Sequence, residues 1–199
     1  MAVSTMTLFR PVGIRELELI LAADSRAFPP RLPEQPIFYP VLNQEYAVEI
    51  ARDWNAPSPH RAGFVTRFEV EQAYVSRFEE KTVGARRHTE LWVPAEELSE
   101  FNKHIVGRIL IVAAFFGDGF QGCVPQTGRL AGLEARSQLE TLSNLRDDQL
   151  VDELRTNAIP CQANYMYWRE LKLSALGRIV TAWKQVHPDI PLPGEGLPG

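Results

Sequence analysis

A change of texture near the middle of the chain constrains the fold more than any single motif does. Residues 7 to about 116 mix short β-rich runs with short helical ones, whereas residues 133 to about 187 lack strand signals and read as helical. The seam is GDGFQGCVPQTGRLAG, residues 117–132, whose five glycines and one proline mark a connecting loop rather than the interior of an element. The expected organisation is an α+β domain over 1–116, a Gly-rich connector over 117–132, and a helical extension with a flexible tail over 133–199. No internal repeat is visible.

Within the first half, Thr7 to Arg10 with Val12 reads as a short strand stopped by Pro11 and Gly13, followed by a helix over IRELELILAAD. The segment FPPRLPEQP carries four prolines, which forbid a helix and supply few ladder donors, so an extended surface loop is expected. IFYPVL is a strand candidate cut by Pro40, and NQEYAVEIARDWN a helix with Asn43 as its N-cap. In GFVTRFEVE, Phe64, Thr66, Phe68 and Val70 alternate with Val65, Arg67 and Glu69, the period of a strand with one buried face. HTELWVP repeats that texture, a short helix follows Pro94, and RILIVAAFF is apolar enough for a strand covered on both faces.

Composition removes several classes of function. With 45% hydrophobic and 23% charged residues, the chain has the balance of a folded domain and not of a disordered tail. No run reaches the roughly 18 apolar residues of a membrane span, and the opening MAVSTMTLFRP lacks the basic start and apolar core of a secretory signal. A cytoplasmic protein without a membrane partner is expected. Cys123 and Cys161 are too few and too far apart for a zinc site or a disulfide framework, and both are expected to be buried thiols. A net charge of −4 and scattered basic residues, with Arg86 and Arg87 the only adjacent pair, make nucleic acid a weak candidate as partner.

The order of FRPVG and a helix, IFYP and a helix containing EYA, GFVTRFEV, and TELWVPAEELSEFNKHIVGRILIV resembles the ADP-ribosyltransferase-like fold. It also resembles small bacterial proteins that carry the label ADP-ribosylation/crystallin J1, and there the likeness continues through VPQTGRLAG and NYMYW to HPDIPLP. The resemblance implies a split sheet with small helices, to which the C-terminal helices are an extension. It implies NAD as a substrate, whose bond between ribose and nicotinamide breaks through an oxocarbenium-like state. Such chemistry needs a cation or donor for the phosphates, an aromatic surface for nicotinamide and a carboxylate for the ribose.

On this resemblance Glu90 is the catalytic carboxylate, and His88, two residues earlier and on the same strand face, orients an acceptor or acts as a general base. His88 departs from the Gln or Glu of protein-modifying relatives. Arg10 matches a cofactor-binding arginine, although Pro11 directly after it is a departure. Tyr39 and Tyr46 are candidates for the nicotinamide shelf and its closure, while alternation sends Phe38 to the face opposite Tyr39. Structural explanations stand beside these: a strand-end arginine, core aromatics, and a solvated strand edge beside Arg86 and Arg87.

The acceptor stays open, with a protein or small molecule expected before nucleic acid. A catalytically inactive binding module of the same fold is the alternative. An ADP-ribosylglycohydrolase, faintly suggested by Asp118 in FGDGFQG, would need a magnesium cluster of carboxylates and an all-helical fold, and no metal site is expected. Glu96 and Glu97 are explained as helix-dipole partners, and His60 as a solvated loop residue. In the second half, leucines at 133, 139, 142, 145, 150 and 154 form an amphipathic stripe that breaks near Arg146, and a second helical stretch follows from Asn164 to Trp183. Asn164 and Tyr165 would reach a ligand only if their helix faced the first-half pocket.

Overall fold

The computed structural model describes residues 3–84, 88–172 and 174–194, so Arg86, Arg87 and the tail's last five residues lie outside the described residues. It is an α+β protein built on two small antiparallel sheets. The elements run β1 (Thr5–Gly13), α1 (Ile14–Ala22), β2 (Ile37–Phe38), α2 (Gln44–Ile50), β3 (Ala62–Glu71), α3 (Gln72–Val75), β4 (Glu79–Thr82), β5 (Thr89–Pro94), α4 (Leu98–Lys103) and β6 (Ile105–Phe116). Among the described residues, a 3-10 turn (Gly128–Leu130) and four α-helices follow: α5 (Ala135–Asn144), α6 (Asp147–Thr156), α7 (Ala158–Glu170) and α8 (Leu176–Val186).

The first sheet has the order β1-β3-β6 and the second β2-β5-β4. They are joined at Val41, which exchanges both main-chain hydrogen bonds with Phe9, at 2.9 and 2.7 Å, and bridges to Glu90 on its other side. Pro11 does not stop β1, as the sequence suggests; it pairs with Val65 inside the strand. Phe9, two residues earlier, points its N–H away from β3 toward Val41, so the Pro11 nitrogen faces the same outer edge, where no ladder donor is required.

Alternation in β3 buries Phe64, Phe68 and Val70 in the core between the sheets, α1 and α4. Val65 departs from its expected outward position and is fully buried, because α2 and the π-helical turn Ala51–Asn55 cover that end of the sheet with Ala47 and Ala51. Gly63 permits the approach: a Cβ there would lie 2.0 Å from the Ala51 carbonyl oxygen. Asn43 caps α2 as expected, its Oδ1 accepting from the Tyr46 N–H at 2.8 Å.

The C-terminal helices do not form a detached layer. Phe120, Cys123, Ala135 and Ala163 share the core of the sheets, and α7 packs on α1 and β6. A second core gathers Leu139, Leu142, Leu150, Leu154, Trp168 and Trp183. The helical break falls at Leu145 and Arg146, where the Arg146 N–H donates to Gln149 Oε1 at 3.2 Å. The tail, expected to be flexible, is packed through its described part: Leu192 is buried and the Trp183 indole donates to the Ile190 carbonyl at 2.6 Å.

Candidate functional site

Strand β5 alternates in burial. Leu91 and Val93 enter the core, while Glu90 and Trp92 stand on the outer face of the second sheet. The Trp92 indole N–H donates to Glu90 Oε1 at 3.0 Å, and the Lys81 ammonium from β4 lies 3.7 Å from the Trp92 ring centre. Tyr39 joins this face edge-on, its ring 5.5 Å from Trp92 at 80°. Phe38, as alternation requires, turns the other way and is fully buried.

A second group comes from α2. Tyr46 stacks on the His88 imidazole at 4.3 Å and 13°, and His88 Nε2 lies 3.3 Å from Glu49 Oε2. Burial first, and then the charges of Glu90 and Glu49, hold the Tyr46 phenol above its usual range. Tyr39 and Glu90 thus meet at Trp92, Tyr46 and His88 meet beside Glu49, and the charge of Glu90 reaching Tyr46 links the two groups. On its far side Glu49 lines a shallow groove with Gln44, Glu45, Val48 and Arg52.

Arg10 is placed differently. It leaves β1 on the side of Leu8 and Val12, toward the core, and is 7% exposed. Its Nε donates to Glu16 Oε1 at 2.7 Å and its Nη2 to Oε2 at 3.3 Å, so the planar fork grips the carboxylate along one edge. Nη1 donates to the Tyr39 main-chain carbonyl at 3.2 Å, and the guanidinium lies 4.6 Å from the Phe38 ring centre. The arginine therefore meets the outer group only through the backbone of Tyr39.

Arg31, from the proline-rich loop, stands beside this pair, 3.7 Å from Glu16 Oε1. Trp92, Glu49, Glu16 and Arg31 escaped the sequence reading. Trp92 had a signal, since two residues after Glu90 it must share that strand face. Glu16 and Arg31 had none, because their meeting with Arg10 is made by α1 and the loop folding back on β1.

Elsewhere, His60 and Asp118 come together with Arg15, Glu18 and Arg61 around a polar groove of about 490 Å³. Among the described residues, no group of three or more His, Cys, Asp or Glu side chains is arranged to hold a metal ion. No helix of the described residues is long and apolar enough to cross a membrane. Asn164 is fully buried and committed to the connector and α5: it bonds Cys123 and Gln138, which removes it from any ligand surface. Comparison of the chain with known protein families, with curated proteins and with solved structures gives no match.

Proposed function

We propose that the protein transfers ADP-ribose from NAD to an acceptor, on an ADP-ribosyltransferase-like split sheet. The observation that carries the reading is the assembly of Tyr39, Trp92, Glu90, Tyr46 and His88 on one outer face, where the second sheet meets the first at Val41. In the proposed reaction the bond between ribose C1′ and the nicotinamide nitrogen breaks, and nicotinamide leaves with the electron pair. The Glu90 carboxylate accepts hydrogen bonds from the ribose hydroxyls and stabilises the cationic sugar. Tyr39 offers the ring against which nicotinamide lies, with the Tyr46 ring closing the other side.

The acceptor's nucleophilic atom then bonds to C1′ and loses a proton. His88, held by the Tyr46 ring and Glu49, is the group placed to take that proton. The groove beyond Glu49 is the route by which an acceptor approaches, and a protein or small molecule suits it better than nucleic acid because Glu45 and Glu49 line it against the single cation Arg52. The reading keeps the expected cytoplasmic setting.

The test is release of nicotinamide from labelled NAD in the presence of a cell lysate, which reports cleavage and acceptor class together. Glu90→Gln keeps an oxygen for the Trp92 N–H and is expected to retain the fold while losing roughly 100- to 1000-fold in turnover. A second reading, a binding module without catalysis, is favoured by one observation: Arg10 and Glu90 are both engaged by internal partners, Glu16 and Trp92. An NAD-induced rise in thermal stability without nicotinamide release would select it.

A further inference from the structure

Two guanidinium groups meet one carboxylate at the junction of β1, α1 and the proline-rich loop. Glu16 gives both oxygens to Arg10, at 2.7 and 3.3 Å, and so is largely spent. Arg31 is left at 3.7 Å from the same carboxylate, beyond hydrogen-bonding reach, with a side chain only 12% exposed. Its Nε is buried without a hydrogen-bond partner among the described residues. Counting Arg10, Arg31 and Glu16, the cluster carries an excess positive charge.

A guanidinium in this position is costly to the fold. Burial lowers its pKa, as does the charge of Arg10, with Glu16 and the Tyr39 phenol acting in the opposite sense. Pro29, Pro30, Pro33 and Pro36 stiffen the backbone that carries Arg31, so little backbone entropy is lost when a ligand arrives. Donors on a stiff backbone, unbalanced positive charge and a low-dielectric wall are the physical requirements of an anion site. The site lies next to Tyr39, whose ring leads across Trp92 to Glu90.

We propose that Arg31 is the residue that contacts the phosphate oxygens of a dinucleotide, and that Arg10 is a positioning residue which holds Glu16 and the Tyr39 carbonyl. The anion site stands on Arg31 itself; its assignment to the pyrophosphate of a dinucleotide rests on the NAD reading. Arg10 has its Nε and one N–H of each terminal nitrogen engaged inside the protein, whereas Arg31 has a buried Nε without a partner among the described residues and an Nη1 that stays 3.7 Å from Glu16 Oε1. A planar guanidinium matches two phosphate oxygens better than a point charge would.

The experiment is calorimetric titration of the full chain with inorganic pyrophosphate, with ADP-ribose and with NAD, alongside thermal unfolding without ligand. Wild type is expected to bind all three, more weakly as salt rises. Arg31→Gln is expected to weaken each by roughly 10- to 100-fold, the loss of one or two charge-assisted hydrogen bonds, with Arg31→Lys intermediate. The unliganded melting temperature of Arg31→Gln should be unchanged or raised, since an unpartnered buried cation has been removed. A lowered melting temperature with unchanged affinities would make Arg31 structural and overturn the proposal, as would a wild type that binds none of the three. Binding of pyrophosphate without ADP-ribose would overturn the dinucleotide assignment. Arg31-dependent binding of ADP-ribose without nicotinamide release from NAD would uphold this inference while defeating the transfer reaction.

Discussion

Asn164, in the middle of α7, holds both main-chain groups of Cys123: its Oδ1 accepts the Cys123 N–H at 2.8 Å and its Nδ2 donates to the Cys123 carbonyl at 2.9 Å. The connector, whose only regular element among the described residues is the short 3-10 turn Gly128–Leu130, thereby closes on a helix. Gly122 makes room, since its φ is +86° and a Cβ there would lie 2.5 Å from Asn164 Oδ1. Asn164→Ala takes the partner from the Cys123 N–H and from Gln138 Oε1, while the Cys123 carbonyl keeps the Gln138 amide, and should lower the unfolding free energy by about 2–4 kcal/mol. Urea denaturation checks this; a loss below about 1 kcal/mol would mean that water replaces the amide.

The close approach of Gly63 to Ala51 makes a second stability prediction. Gly63→Ala drives a methyl group into a main-chain carbonyl at 2.0 Å, and the atom in the way is backbone that no rotamer change can move aside. The π-helical turn must lift from β3, at a cost of about 3 kcal/mol or more. Because α2 is continuous with that turn, Tyr46 should lose its stacking on His88. A full-length protein that folds with wild-type stability would show that the turn slides freely over the strand.

Elements whose burial depends on local alternation were legible in the sequence. Phe64, Phe68 and Val70 needed only a period of two, and the Asn43 cap only its own side chain. Strand β4 was not legible: its residues, EEKT, show no alternation of polarity and pair because β5 supplies a partner ladder. Val65 was misassigned to solvent because a second layer, α2 and its π-helical turn, covers that face, and a single strand carries no record of it. The same limit applies to the candidate site. The shared face of His88 and Glu90 follows from spacing, whereas the turn of Arg10 toward the core depends on Glu16 in α1 and on the Phe38 ring.

The two cysteines give the protein a pH dependence of known sign. Burial pushes the Cys123 thiol up to about 12 from an ordinary 9.0, and Cys161, fully enclosed, is raised further. In the unfolded chain both thiols release their protons from about pH 9, while the folded chain retains them. Above that pH the unfolded state binds fewer protons, so stability, fully present below pH 9, falls as pH rises toward 12. Tyr46 and Tyr74, both raised by burial, add to the fall at its upper end. Urea midpoints at pH 8 and pH 10.5 should differ, and the difference should shrink in the double variant Cys123→Ala, Cys161→Ala. An equal difference in both proteins would assign the effect to other groups.

Trp92 supports Glu90 by one hydrogen bond, and its ring also carries Tyr39 and Lys81. Trp92→Phe removes the N–H and keeps most of the ring, so Glu90 loses its 3.0 Å tether while Tyr39 keeps an aromatic neighbour. If Glu90 acts on the ribose, a carboxylate free to rotate should lower kcat for nicotinamide release by about 10-fold, or about 1.4 kcal/mol, with KM nearly unchanged. Trp92→Ala removes the ring as well and should raise KM in addition, because the shelf formed by Tyr39 loses its backing. The two variants together separate positioning of the carboxylate from binding of the ring. Equal kcat in Trp92→Phe and wild type would mean that Glu90 is held by the strand alone, or that it takes no part in the reaction; the Glu90→Gln variant distinguishes these.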